Sequence, residues 1–185
     1  MKNRFNNRNK MILAAFVLQI LLLASVISLV YAVSVNGRTV VIEMTGYDPY
    51  DALRGRYLQL DLPAREVILE PDSLERYRAS RKDEQYVYVI LDQEPGSRLS
   101  RFAYASLDRP APDTPYIKCM SRYLWTSDGE SRIDIYPRIS QYYLNEHQAD
   151  QLDRSVSWNT RILLTLKLWH GMYVIDGMEI DGVTY

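Results

Sequence analysis

The sequence predicts a mainly β fold, an antiparallel sandwich or barrel-like domain with one or two short helices, preceded by one N-terminal transmembrane helix. Three observations carry that prediction. Met11–Val33 is a long run without a single charged residue. Beyond it, apolar residues recur with a period of two, the signature of half-buried strands. Glycine, proline and Asp-Gly pairs punctuate those segments as turns do. A chain of 185 residues suits one domain with an appendage. The expected layout is a basic cytoplasmic segment at 1–10, an anchor at 11–33 and an extracytoplasmic β-rich domain at 34–185.

As a helix, Met11–Val33 would be about 34 Å long, enough to cross a hydrocarbon core of about 30 Å. Lys2, Arg4, Arg8 and Lys10 precede it, and no Asp or Glu occurs among the first 33 residues. That asymmetry keeps the N-terminus cytoplasmic and sends the rest across, giving a single-pass protein of the plasma (inner) membrane with a periplasmic or extracellular domain. A cleaved signal peptide is the alternative, and Val30-Tyr31-Ala32 would suit a peptidase. Signal-peptide apolar regions usually run only about 7–15 residues, so an uncleaved anchor in the lipid bilayer is expected.

Taking those four cations from the 22 Lys and Arg leaves 18 against 23 acids, so the exported part is acidic by about 5 charges. No basic stripe interleaved with aromatics appears, which excludes nucleic acid as the expected partner. Cys119 is the sole cysteine, so no internal disulfide can form. A place inside a strand is expected for it, with an intermolecular bridge as the alternative.

The strands follow in order. Val40, Ile42 and Met44 alternate with polar or smaller neighbours, as do Leu58, Leu60 and Leu62 with Tyr57, Gln59 and Asp61. Tyr86–Leu91 is apolar on both faces and reads as a central strand. Proline and glycine make residues 91–115 loop-rich, around a strand near Phe102–Ser106. Ile133 and Ile135 begin a strand expected to run towards Leu144. Ile162, Leu164, Leu166 and Leu168 form the last inward row, and His170-Gly171 turns the chain into Met172–Ile175 as a hairpin. Asp176-Gly177 and Asp181-Gly182 read as further turns. Two short helices are expected: one capped by Asp72 or Ser73 and running to Arg78, the other capped by Asn145 and running to Asp153.

The densest local information lies in Asp48-Pro49-Tyr50-Asp51-Ala52-Leu53-Arg54-Gly55-Arg56-Tyr57-Leu58-Gln59-Leu60-Asp61-Leu62. Pro49 fixes its own φ and extends Asp48, Asp51 can cap the turn that follows, and Gly55 supplies a backbone pivot. Arg54 and Arg56 are placed to pair with Asp48, Asp51 or Asp61. The bland reading is a well-specified corner between strands. The functional reading is a docking surface at that corner, with Tyr47, Tyr50 and Tyr57 as anchors.

The run Asp48-Pro49-x-Asp51-x-Leu53-Arg54-Gly55-x-Tyr57-x-x-Leu60 resembles the signature of the bacterial GDYxxLxY protein family. It departs from that pattern twice, with Arg56 in place of an aspartate and Leu62 in place of a tyrosine. Tyr136 to Leu152, with Tyr143 and Glu146, is similar to the family's tyrosine-rich strand and short helix. Gly171 and Ile180-Asp181-Gly182 resemble its terminal hairpin. The resemblance implies a membrane-anchored extracytoplasmic β domain of unassigned function, often found beside multi-spanning membrane proteins. It supplies no catalytic residues.

Nothing in the residues themselves supplies them either. Signal peptidases place a serine where Gly46 stands here, and without a nucleophile acyl transfer has no first step. His147 and His170 are the only histidines, which falls short of a metal ligand set. Asp48, Asp51 and Asp61 match no calcium loop. Trp125, Trp158 and Trp169 read as core or rim residues. No cofactor, metal or catalytic residue is therefore expected. The leading expectation is a non-enzymatic accessory or interaction protein for a membrane partner, with a multi-spanning membrane protein as the candidate. An extracytoplasmic small-ligand binding module is second, and a hydrolase with an unrecognised site third. If Gly55 pivots at positive φ, Gly55→Val loses protease resistance, and wild-type resistance would contradict that assignment.

Overall fold

The computed structural model describes residues 2–47, 50–51, 55–80, 84–139, 141–143, 160–180 and 182–184. The helix expected at Asn145–Asp153, with His147, lies outside them, as do Lys82 and Trp158.

One long helix, α1 (Lys2–Asn36), precedes a β-rich body whose described elements are β1 (Arg38–Tyr47), β2 (Tyr50–Asp51), β3 (Gly55–Asp61), β4 (Glu66–Ile68), α2 (Pro71–Ala79), β5 (Glu84–Gln93), β6 (Ser100–Ser106), β7 (Tyr116–Ser127), β8 (Glu130–Tyr136), β9 (Gln141–Tyr143), β10 (Thr160–Trp169), β11 (Met172–Ile180) and β12 (Val183–Thr184). They form two sheets, mainly β as the periodicity requires. One runs β12-β11-β10-β1-β3-β2, with β9 also on β3; the other runs β4-β8-β7-β5-β6. The second sheet curls almost into a barrel. Leu69 bridges Ala105 in parallel, and the Glu70 amide donates to the Ala105 carbonyl at 2.9 Å.

The predicted inward rows are the core. Val40, Ile42 and Met44 of β1, Leu58 and Leu60 of β3, and Ile162, Leu164, Leu166 and Leu168 of β10 are buried. They meet Val87, Val89, Ile117, Cys119, Ile133 and Ile135 from the second sheet in one continuous cluster. Gly46 belongs to this packing. It faces Leu60 across β1 and β3, and a Cβ there would collide with the Ile162 side chain.

α2 begins at Pro71 with Glu70 as its N-cap and no side-chain capping bond, not at Asp72 or Ser73 as expected. Proline suits the first helical position, and the Ser73 amide that a side-chain cap would serve donates to the Glu70 carbonyl at 3.0 Å. Ser73 is drawn inside instead, where its hydroxyl accepts from the Leu107 amide at 3.0 Å. Tyr77 is buried from the same helix and hydrogen-bonds Ser121 at 3.0 Å, so α2 is pinned to β7.

Three other expectations are corrected. The strand begun by Ile133 stops at Tyr136, and the chain crosses to the first sheet, where β9 pairs β3. Asp176-Gly177 makes no turn: Thr165 pairs Gly177 and Leu166 pairs Ile175, so Asp176 is the extra residue of a β-bulge within β11. Asp61, offered with Asp48 and Asp51 as a partner for Arg54 or Arg56, pairs with Arg65, two hydrogen bonds at 2.7 and 2.6 Å joining the guanidinium to both carboxylate oxygens. A cation four residues away on the same chain reaches it at little entropic cost. The His170-Gly171 turn is as predicted, with φ of 51° and 79°, the pair of positive angles a tight hairpin needs.

Leu164 is fully buried between the sheets, so Leu164→Ala is expected to cost about 3 kcal/mol in urea unfolding. Gly46→Val should also destabilise, by about 1–3 kcal/mol, because its side chain overpacks against Ile162 and Leu58. Wild-type midpoints for both would contradict this account of the core.

Candidate functional site

The described motif residues fall on the paired strands β2 and β3. Tyr50 and Asp51 form β2, with Tyr50 opposite Arg56 and Asp51 opposite Gly55. Asp48, Pro49, Leu53 and Arg54 lie outside the described residues, and the side chains of Tyr47, Tyr50, Asp51 and Tyr57 are likewise not described. Leu58 and Leu60 point into the core. β3 is the junction of the first sheet, bonded to β1, β2 and β9 along its length. Tyr57 is thereby the register partner of Tyr143, so two separate stretches of the family resemblance become neighbours in space.

Where β3 ends, side-chain chemistry gathers. The Asp61–Arg65 pair flanks a cavity of about 190 Å³ lined also by Leu60, Tyr136 and Ile139. Arg65 lies over the Tyr136 ring at 5.2 Å and Arg122 at 5.3 Å, so one tyrosine engages two guanidinium groups. The hydrogen bonds it donates to Asp61 hold the Arg65 guanidinium above its ordinary pKa. Arg122 is tied in turn to Glu84. Each exposed pair is worth little alone, about 0–1 kcal/mol, but together they fix the ring and cations in register.

From Tyr136 an aromatic and cationic face extends across the outside of the second sheet. Tyr136 sits opposite Met120, Met120 opposite Tyr86, and Tyr88 opposite Lys118. Lys118 stacks on Tyr86 at 4.9 Å. Tyr88 meets Tyr116 edge-on at 5.6 Å. Tyr86 is 51% exposed, Tyr104 40% and Tyr123 69%. Tyr123 has φ 51° where the β7–β8 register slips between Arg122 and Leu124. A non-glycine residue at that angle stores strain of about 1–3 kcal/mol and is held there by the bulge. The strain puts a large aromatic ring in solvent.

Tyr47, Tyr50 and Tyr57, the tyrosines expected to dock, have side chains outside the description; beyond α1, the exposed tyrosines among the described side chains lie on the other sheet. Tyr86–Leu91 had read as apolar on both faces. β5 does lie inside its sheet between β7 and β6, with Val87, Val89 and Leu91 in the core and Ile90 buried as well, while Tyr86 faces out. Tyr86 and Tyr88, two apart and followed by Tyr104, were the available signal.

The remaining reactive groups are dispersed. Cys119 is buried in β7, and burial pushes its thiol up to about 12. His170 is exposed in the β10–β11 turn, its Nδ1 3.4 Å from the Arg109 guanidinium. Trp125 and Trp169 are half-buried, as rim residues. Among the described residues no group of three His, Cys, Asp or Glu converges to hold a metal ion.

A family model described as GDYXXLXY protein matches residues 19–178, most of the chain. No curated protein and no solved structure matches it.

Two outcomes follow. Cys119 should resist thiol reagents at neutral pH in the folded protein and react on unfolding; rapid native labelling would contradict its burial. Tyr123→Gly should gain about 1 kcal/mol in urea unfolding as the left-handed strain is released. A loss of stability would mean that the Tyr123 ring packs more than its exposure indicates.

Proposed function

The chain belongs to the GDYXXLXY family, and we propose that it is a single-pass, membrane-anchored accessory protein, non-enzymatic, whose β domain docks on a multi-spanning membrane partner through the tyrosine and cation face of the second sheet. The observation that carries this reading is the exposed ring of Tyr123, held out at a strained backbone angle next to Arg122 on the strand that also carries Lys118. Aromatic and guanidinium groups are the residue types that dominate protein interfaces, and nothing in the fold itself needs Tyr123 where it is.

The anchor supports the membrane part. Arg8–Asn36 is one helix long and apolar enough to cross a bilayer. Every large apolar side chain from Met11 to Tyr31 is exposed, a surface that water does not tolerate and lipid does. A signal sequence would pass the same test. α1 favours retention because it runs without a break into the domain: Val33 is 2% exposed, and Gly37 alone separates α1 from β1. The Gly37 amide closes the last turn on the Val33 carbonyl at 2.8 Å. With Lys2–Lys10 on the cytoplasmic side, the domain is extracytoplasmic and lies close against the membrane.

An extracytoplasmic ligand-binding role is the second reading. A cavity of about 340 Å³ opens between the sheets, with Ile42, Leu62 and Phe102 on its walls and Glu43, Glu66 and Arg101 at its mouth. That is the lower end of the size range for small-molecule sites.

A photo-crosslinking residue at Tyr123 in native membranes is expected to capture a multi-spanning protein, and the same residue at Glu75 on α2 is not. Tyr86→Ala with Tyr123→Ala should reduce native-membrane capture about tenfold or more while unfolding as wild type. Equal capture from both positions, or by the double variant, would sink the docking reading. A C-terminal alkaline phosphatase fusion should be active; an inactive one beside a fluorescent cytoplasmic reporter would reverse the topology.

A further inference from the structure

We propose that the cavity at the foot of α1 binds the phosphate of an anionic phospholipid headgroup. The inference rests on the anchored reading above and adds a ligand to it. The cavity measures about 220 Å³ and is walled by Asn36, Arg38, Asp113, Tyr116, Trp169 and His170, among others. It is thus formed by the end of the membrane helix, the loop before β7 and the β10–β11 turn.

Depth comes first. If Met11–Val33 fills the hydrocarbon core, Asn36 stands about 4.5 Å beyond it along the axis, inside a headgroup layer about 5–7 Å thick. The cavity therefore opens at the level of lipid phosphates. Trp169, half-buried on its wall, stacks at 4.7 Å on the His170 ring and has the amphipathic character favoured at that depth.

Charge comes second. Arg38 donates through Nη1 to the Asp113 carbonyl at 2.7 Å, which steadies its guanidinium and leaves other N–H groups for a ligand. Arg109 donates through Nε to the Tyr116 hydroxyl at 3.0 Å and reaches His170 with Nη2. Lys167 stands beside Arg38's strand, its ammonium on the Thr39 hydroxyl at 2.7 Å. The acid on the wall is Asp113, and neighbouring Asp108 is already held by Arg76 at 2.5 Å. Arg38 and Lys167 alone could be explained by the negative end of the α1 dipole. His170 reaches the cavity wall from the β10–β11 turn, and Arg109 stands behind that wall on His170 and Tyr116, an arrangement the dipole does not explain.

Size comes third. At about 220 Å³ the cavity lies below the range of drug-sized ligands, so it suits a phosphate with a small substituent whose acyl chains remain outside. The exposed side chains of Tyr31 and Val35, one turn apart on α1, offer those chains an apolar path into the core.

The test uses the full-length protein in nanodiscs of equimolar phosphatidylcholine and phosphatidylglycerol, with retained lipid read by native mass spectrometry after release. The wild type should retain phosphatidylglycerol over phosphatidylcholine. Arg109→Gln and Arg38→Gln should each lower that enrichment roughly fivefold, the effect of one cation at an anionic surface. Arg38 is exposed and donates to a backbone carbonyl that glutamine can also reach, so Arg38→Gln should melt as wild type and serves as the folding-neutral case. Equal retention of both lipids, or unchanged enrichment in the melting-neutral variant, overturns the proposal. Displacement of phosphatidylglycerol by inorganic phosphate identifies a free-anion site and overturns the lipid assignment. A chain that fails to insert overturns the anchored reading and this one together, whereas insertion without selectivity overturns this one alone.

Discussion

Nine consecutive residue pairs join β1 to β10, from Arg38 opposite Leu168 to Gly46 opposite Thr160, across a sequence separation of well over a hundred residues. Most of the molecule takes its position from that ladder. At one end it carries α1, because β1 starts one residue after the helix ends. At the other end it presents Gly46 and Tyr47 to β3, and so places the motif hairpin. β10 passes the same register to β11 through the His170-Gly171 turn. A one-residue slip would turn Val40, Ile42 and Met44 to solvent and bring Thr39, Val41 and Glu43 inward, so the apolar alternation on both strands admits a single pairing. Contacts this distant in sequence close late and slowly in folding, which makes a clean register worth more than local propensity.

That ladder explains which parts of the fold could be read without coordinates. Inward rows such as Leu58-Leu60 or Ile162–Leu168 state their burial in their own periodicity, and α1 states its environment in its composition. Turns with paired positive angles are legible for the same local reason: His170-Gly171 was foreseen, and Asp128-Gly129, with φ of 54° and 81°, carries the same Asp-Gly signal between β7 and β8. Asp176-Gly177 carries that signal too, yet the strand continues through it, because β10 is already paired on both sides and absorbs the extra residue as a bulge. The end of β8 was equally hidden. Whether a strand continues or crosses to another sheet depends on the free edge of β3, and nothing near Tyr136 encodes that.

The candidate site was less legible than the fold, for a physical reason. The motif around Gly55 is dense in residues with strong backbone preferences, so it stands out in sequence. Such residues are needed where the chain bends, and here they build the junction strand β3. Exposed tyrosines need no special neighbours. Tyr86 and Tyr88 looked like core because β5 is interior to its sheet, but a curled five-stranded sheet has a convex face that no second layer covers. Tyr123 was beyond reach altogether, since its exposure follows from a register slip between Arg122 and Leu124. The motif and the face still meet, at the Asp61–Arg65 pair beside Tyr136.

A rigid joint changes what an exposed face can do. With a flexible linker, a domain samples every orientation above the bilayer, and a partner within the membrane must capture it against that freedom. Here a Cβ at Gly37 would press on the Val33 carbonyl and on the backbone of Leu168, so the helix end and β10 are in direct contact. Tyr116 extends that contact: it packs beneath Gly171, accepts from Arg109 and meets Tyr88 edge-on. An unbroken series of packed groups therefore leads from α1 through the β10–β11 turn to the aromatic face. The orientation of Tyr86 and Tyr88 relative to the helix axis is fixed by the fold itself. On the proposed docking role, an interface so preorganised would lose less freedom on binding, and a modest set of tyrosines and cations would then suffice.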